Sequence, residues 1–272
     1  MSRIITQDDL RKSSLWNVNK IDSSLWTCVI PAAGKGTRLG YEFPKILYPI
    51  LGHSILQHLV NIFHKYCNYF VVVASPDGAL AIRNEFERLC QPCSYKIVIQ
   101  NEPKGMAHAV WQTRKIVKTP HTTVVWGDQI CLRDATILNT LACHQSDSAS
   151  VLTFPTVMKK NPYIHFQRDN ANRIVKVLQK RENEISTEVG ENDCGIFCFS
   201  TRMLFPILKK GLDSPNSMGA KTKEVNLLQL LPQFEMKKGQ VNTLRIAKEE
   251  ETLGVNTVKD AQSAESILRK RK

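Results

Sequence analysis

From Val29 to Lys45 the chain reads Val-Ile-Pro-Ala-Ala-Gly-Lys-Gly-Thr-Arg-Leu-Gly-Tyr-Glu-Phe-Pro-Lys. Small residues at Ala32, Ala33, Gly34 and Gly36 let the backbone approach a ligand closely, and successive N–H groups in such a loop can cradle phosphate oxygens. Lys35, Arg38 and Lys45 add three cations, which suits a triphosphate whose charge must be neutralised for binding and for reaction. The segment therefore points to chemistry on a nucleotide. Two loop designs are excluded by spacing. A Walker loop has glycine five positions before its Gly-Lys pair and Ser or Thr after it; here those places hold Val29 and Gly36. The dinucleotide fingerprint needs a third glycine where Leu39 stands, and an acidic residue where the chain has His53-Ser54-Ile55-Leu56.

A loop of this kind needs a strand to present it, and the apolar run from Trp26 to Ile30 supplies one. Residues 54–66 place Ile55, Leu56, Leu59, Val60 and Phe63 at helical spacing. Periodicity then predicts a strand over 69–74, a helix over 78–89, a strand over 95–99, a helix over 105–117 and a strand over 122–126. This alternation implies a mostly parallel sheet covered by helices on both faces, with ligands at the carboxyl ends of the strands. The 34–36 loop and Gly127-Asp128 both fall on that edge. After Asp147 the pattern turns strand-rich, over 150–154, 164–167, 173–179 and 195–200, and this part should form the acceptor half of a cleft. The expected organisation is a polar extension over 1–25, one domain over 26–258 with halves near 26–147 and 148–258, and a basic helix and tail over 259–272.

The formal charge of +12 admits nucleic acid, an anionic membrane or polyanionic small substrates. Pairs such as Lys159-Lys160, Lys209-Lys210 and Lys237-Lys238 are scattered, with no aromatic interleaving to stack bases. A solvated basic surface is expected, including Arg269 to Lys272, and nucleic-acid binding is not. The first 25 residues show no secretory pattern, and the longest purely apolar run, Phe70 to Ala74, is too short to span a bilayer. Eight cysteines then read as reduced thiols in a cytoplasmic protein. Cys90-Gln91-Pro92-Cys93 lacks a second pair to complete a zinc site, Cys194 and Cys198 read as core, and His53 and His58 lack a metalloprotease pattern.

Ala32-Ala33-Gly34-Lys35-Gly36-Thr37-Arg38-Leu39 with Pro44-Lys45 resembles the signature of the sugar-1-phosphate nucleotidyltransferases, in particular the pyrophosphorylase domain of the N-acetylglucosamine-1-phosphate uridylyltransferases. The resemblance runs from about Trp26 to Leu268. It implies a Rossmann-like, three-layer αβα (GT-A-like) fold with a mixed, mostly parallel sheet. It also implies Mg²⁺-dependent transfer from a nucleoside triphosphate, UTP before CTP, to a phosphorylated small-molecule acceptor, giving an NDP-sugar and pyrophosphate. Arg38 matches the triphosphate-binding arginine and Lys45 the lysine on the reacting phosphates. Asp128 and Asn256, the latter in Leu253-Gly254-Val255-Asn256, match the two Mg²⁺ ligands, a pair that leaves most of an octahedral shell to water and phosphate. Gln100 matches the glutamine that reads a pyrimidine, and Gly105 opens the next helix beside the nucleotide.

The acceptor side departs from the pattern. Tyr163-Ile164-His165-Phe166 replaces Tyr-Gly-Arg-Ile, no glutamate stands near Leu178-Gln179-Lys180, and Asp193-Cys194-Gly195 replaces Asn-Thr-Gly. Tyr163, Asp193 and Gly195 are the expected acceptor contacts. An alternative is a cytidylyltransferase for a non-sugar phosphate such as phosphocholine, with Tyr163, Phe166 and Trp126 facing a quaternary ammonium and Asp193 as counter-charge. A second alternative is a non-catalytic regulatory homologue, against which the retained charges argue. Self-association into a homo-oligomer stays open.

Overall fold

The structure is a computed structural model that describes residues 2–12, 21–34, 36–89, 93–214, 217–237 and 239–271. In chain order the main elements begin with β1 (Ser2–Thr6), α1 (Gln7–Lys12), β2 (Trp26–Pro31), β3 (Pro49–Ile50), β4 (His53–Ser54), α2 (Ile55–Phe63), β5 (Tyr69–Ala74) and α3 (Ala79–Arg88). There follow β6 (Ser94–Ile99), α4 (Met106–Gln112), β7 (His121–Val125), α5 (Asp134–Ser146), β8 (Ser150–Lys160), β9 (Ile164–Arg168) and β10 (Ile174–Gln179). The last are β11 (Val189–Asp193), β12 (Ile196–Ser200), α6 (Thr201–Leu212), α7 (Pro232–Glu235), β13 (Gln240–Arg245) and α8 (Val258–Arg269).

The central sheet runs β1-β13-β8-β12-β7-β2-β5-β6, and β11 pairs with the far end of β8. Neighbours are parallel except at β12, which is antiparallel to both β7 and β8, and at β11, which is antiparallel to β8. Strand pleating divides β2 between two cores: Cys28 and Ile30 face one, Val29 the other. The first core takes the apolar faces of α2, α3, α5 and α8; the second takes those of α4, α6 and α7. The mixed, mostly parallel three-layer αβα fold expected from the sequence is what forms. No helix among the described residues is long and apolar enough to cross a membrane.

Several differences have physical causes. Residues 2–6, expected within a polar extension, form an edge strand parallel to β13, with Ile5 packed on Cys143 and Leu244. α5 is absent from the sequence pattern because it is buried on more than one side: Thr136, Ile137, Thr140, Leu141, Ala142, Cys143 and His144 leave no apolar stripe to detect. The strand at 150 continues to Lys160, since β12 covers its first half and β11 its second. The helix predicted over 105–117 is α4 followed by one tight turn, Thr113–Lys115. Arg271, expected in a solvated tail, donates to Glu250 at 2.6 Å and to Leu132 O at 3.4 Å.

Candidate active site

The loop after β2 leaves the sheet with Ala32 N donating to Val73 O at 2.7 Å, so it starts at the carboxyl edge. Gly36 has φ +63°, and a Cβ there would lie 2.7 Å from Lys45 Cβ; the glycine lets the turn Lys45–Leu47 close against the loop. Lys35 lies outside the described residues, as do Cys90, Gln91 and Pro92.

Three segments distant in sequence meet on Lys45. Its Nζ donates to Asp128 Oδ2 at 2.5 Å and to Asn256 Oδ1 at 3.1 Å, and Arg38 Nη2 donates to the same Asn256 oxygen at 3.2 Å. Val255 N donates to Asp128 O at 3.1 Å, which ties the 253–256 loop to the end of β7. Asp260, in the first turn of α8, accepts from the backbone N–H of Asn256 and Thr257 at 3.0 and 2.8 Å, so a helix terminus fixes the asparagine. The neighbouring turn Glu249–Thr252 is anchored by buried Glu251, which accepts from the N–H of Arg133 and of Lys248 at 2.8 and 2.7 Å. A divalent cation would find two oxygens here, one carboxylate and one amide, that already converge on a single positive atom. Mg²⁺ suits such a sparse set because it retains water and phosphate ligands. Among the described residues no group of three His, Cys, Asp or Glu could hold a metal.

These residues line a cleft of about 860 Å³, together with Ala32, Ala33, Gly34, Gln100, Gly105, Tyr163 and Asp193. Gln100 follows β6, and Gly105 takes φ +97°, where a Cβ would lie 2.6 Å from Val225 O. Gly36 and Gly195 shape the walls without facing the cleft. Gly195, at φ +72°, sits where a Cβ would lie 2.3 Å from Gln129 Cγ.

On the side of the cleft where the acceptor was expected, Asp193 is buried, and its Oδ2 accepts the Gly195 N–H at 2.9 Å. Burial pushes its carboxyl up to about 6, although the Gly195 N–H and the Trp126 indole oppose that shift. Half-exposed Tyr163 is positioned by Asn192, whose Oδ1 accepts the backbone N–H of Tyr163 and Ile164, both at 3.0 Å. Phe166 does not join the aromatic wall suggested by the sequence. It is 2 % exposed and packs on Phe154 with ring centroids 5.2 Å apart, since β9 turns alternate residues inward. Cys194 and Cys198 are core residues as expected.

The sequence reading missed Gln129, Lys159, Arg181, Asn192 and Asn226, which also line the cleft. Gln179 stands where a glutamate was sought; its buried Oε1 accepts from Asn226 Nδ2 at 2.6 Å and Arg181 Nε at 3.1 Å. Behind it Glu191 is gripped by Arg168 and Arg245. Burial alone would raise this carboxyl, but those guanidinium hydrogen bonds hold it down at about 2. Only the polar run Val-Gly-Glu-Asn-Asp of β11 hinted at this hub, and isolated polar residues in sequence carry no sign of burial.

Residues 28–191 match the model of the MobA-like NTP transferase domain, a span that includes the loop, Lys45, Gln100 and Asp128. The chain belongs to that family. Among curated relatives of this NTP transferase, the Bifunctional protein GlmU of Syntrophomonas wolfei is 26 % identical over 90 % of the chain and 54 % of its own length. That of Geobacillus thermodenitrificans is 29 % identical over 89 % of the chain and 52 % of its own length. The chain thus spans about half the length of the curated relatives it matches. Among solved structures, a UDP-glucose pyrophosphorylase complexed with UDP-glucose superposes with a TM-score of 0.67 at 16 % identity, covering 92 % of this chain and all of that one. HddC from Yersinia pseudotuberculosis gives 0.64 at 17 % identity, covering 89 % and 99 %. At those identities the likeness concerns the fold.

Proposed function

We propose that this NTP transferase joins a nucleoside triphosphate, UTP before CTP, to a sugar 1-phosphate, releasing pyrophosphate and an NDP-sugar. The observation that carries the reading is the convergence of Lys45, Arg38, Asp128 and Asn256 at the carboxyl edge of the sheet. An acceptor phosphate oxygen attacks the α-phosphorus, a new P–O bond forms, and the bond to the β-phosphate oxygen breaks. The nucleophile is already an anion, so no general base is needed; the work is positioning and charge neutralisation. Arg38 and Lys45 supply fixed positive charge to the phosphates, and small residues 32–34 let backbone N–H groups reach them. Asp128 and Asn256 would hold Mg²⁺, which when bound screens charge on the transferring phosphoryl group. Walls provided by β9, β10 and β11 would hold the acceptor.

Pyrophosphate release measured with each of the four NTPs against a panel of sugar 1-phosphates and phosphocholine tests this. Turnover with UTP and a sugar 1-phosphate, abolished by EDTA and restored by Mg²⁺, is expected. Asp128→Ala should lower kcat by about two or more powers of ten, the scale for losing a major transition-state charge stabiliser. Full activity of that variant would reject the site, and turnover confined to phosphocholine would reject the acceptor.

A further inference from the structure

Two segments carry the oxygens that converge on Lys45: the stretch after β7 with Asp128, and residues 248–256 with Asn256. Beside those oxygens the segments are joined by a backbone bond from Val255 N to Asp128 O at 3.1 Å. One bond acts as a hinge, and a second attachment is needed to set the angle between the segments. Glu251 supplies it. The residue is 0 % exposed, and its Oε2 accepts the backbone N–H of Arg133 at 2.8 Å. Its Oε1 accepts the Thr136 hydroxyl at 3.1 Å and the Lys248 N–H at 2.7 Å. Arg133 closes the stretch that starts at Asp128, and Ile130, Cys131 and Leu132 between them are buried, so that stretch transmits position rather than absorbing it. A carboxylate is held here for a physical reason. Arg133 is the cap residue of α5 and its side chain makes no cap hydrogen bond, so the positive end of this 13-residue helix is met by Glu251 instead.

We propose that Glu251 is a positioning residue for the divalent cation: from behind the cleft wall it sets the separation of Asp128 and Asn256, and so the fit of the metal that accompanies the triphosphate. The proposal rests on the transferase reading above and deepens it. Tolerance at this point is small. Gly254 passes so close that a Cβ there would lie 3.2 Å from Asp128 Oδ1 and 3.4 Å from Asn256 Nδ2. Mg²⁺ demands near-ideal octahedral geometry, so a small shift between its two protein ligands weakens its binding. Glutamine cannot take over the task. One end of its head group is an NH₂, and whichever end that takes, it faces a backbone N–H, of Arg133 or of Lys248. Either the tether to α5 is lost or the turn Glu249–Thr252 is pushed away from it.

Calorimetric binding of UTP to the full chain, once with Mg²⁺ and once in EDTA, tests this without turnover. In the wild type Mg²⁺ should tighten binding by about 10-fold or more, the scale on which metal-site partners act. Glu251→Gln should weaken binding with Mg²⁺ about 10-fold and leave binding in EDTA within about 2-fold. Arg133→Pro removes the N–H that Glu251 accepts, at a φ of −90° close to the range proline adopts, and should do the same. Arg133→Ala keeps that N–H and loses only an exposed pairing with Glu250, so it should match the wild type. The two Arg133 variants decide the matter alone if Glu251→Gln does not fold. A merely structural role would lower the melting temperature and weaken both measurements equally. That result, or unchanged Mg²⁺ binding in either Glu251→Gln or Arg133→Pro, overturns the proposal while the transferase reading stands. A wild type that does not bind UTP, or binds it no better with Mg²⁺, rejects the reading of Asp128 and Asn256 as well.

Discussion

Asp193 shows how a single residue can be both on the cleft wall and committed to the fold behind it. Its carboxylate holds the Gly195 amide at the point where the chain passes from β11 into β12, and burial raises its pKa from 3.8 to about 6. Because the folded-state value lies above the unfolded one, the native protein binds an extra proton between about pH 4 and pH 6. Stability from this group is therefore greatest below that window and declines as pH rises through it. Asp193→Asn removes the titration while keeping the shape. Relative to that variant, the wild type should gain about 2 kcal/mol on moving from pH 7 to pH 4.5. Chemical denaturation of both proteins at the two pH values reads this directly. Glu191, held down at about 2 by its arginines, has the opposite sign: its contribution is complete above about pH 4.5 and is lost as pH falls towards 2. It is present in both proteins, so it cancels. A difference that does not change with pH would show that Asp193 titrates as an exposed carboxylate does.

At the scale of elements, the site depends on turns that carry the chain from strand ends into helices. Gly105 lies in one of these. It precedes α4 at φ +97°, and the backbone at Glu224 and Val225 closes over it: Val225 N donates to Lys104 O at 3.2 Å and Ala107 N to Val225 O at 3.1 Å. A methyl group there would meet Val225 O at 2.6 Å and force this clasp open. Gly105→Ala should lower stability by about 2 kcal/mol or more, from positive-φ strain and the backbone clash. It should also raise the NTP KM more than the acceptor KM, since α4 abuts Gln100. Steady-state kinetics with each substrate varied, plus a melting curve, check both parts. Equal changes in the two KM values would mean that α4 supports the whole cleft and not its nucleotide side alone.

Across the whole molecule, the sheet separates stability from chemistry. β1 is an edge strand, and four strands, β13, β8, β12 and β7, lie between it and β2. Removing residues 2–12 deletes its five register pairs with β13 and the buried Ile5 contact. Burying one isoleucine contributes about 2 kcal/mol, so the midpoint should fall by about 5 °C or more in a domain of this size. kcat/KM should stay within about 3-fold, because nothing in β1 reaches the cleft. An unchanged melting temperature would show that β1 adds nothing to the sheet. The excess of basic residues also looks different at this scale. Arg168 and Arg245 converge on Glu191, and Arg133 and Arg271 on Glu250, so several of the scattered cations brace β11 and the turn Glu249–Thr252.

Readable in the sequence alone were the small-residue loop after β2, the alternating elements from β2 to β7, and the sheet edge on which that loop and Asp128 lie. Each of these is a local property: a run of small residues, an apolar period, or a strand end followed by a charged residue. The resemblance added Asp128 and Asn256 as partners, though nothing local links positions so far apart. Tertiary structure decided what neither could supply. It set β1 against β13, buried α5 on several sides, withdrew Phe166 into the core, and placed Arg168 beside Glu191. Those outcomes depend on which surfaces face each other after the chain has crossed the sheet. A residue type states what a side chain can donate, accept or bury, while only packing decides which partner is within reach and how much water remains between them.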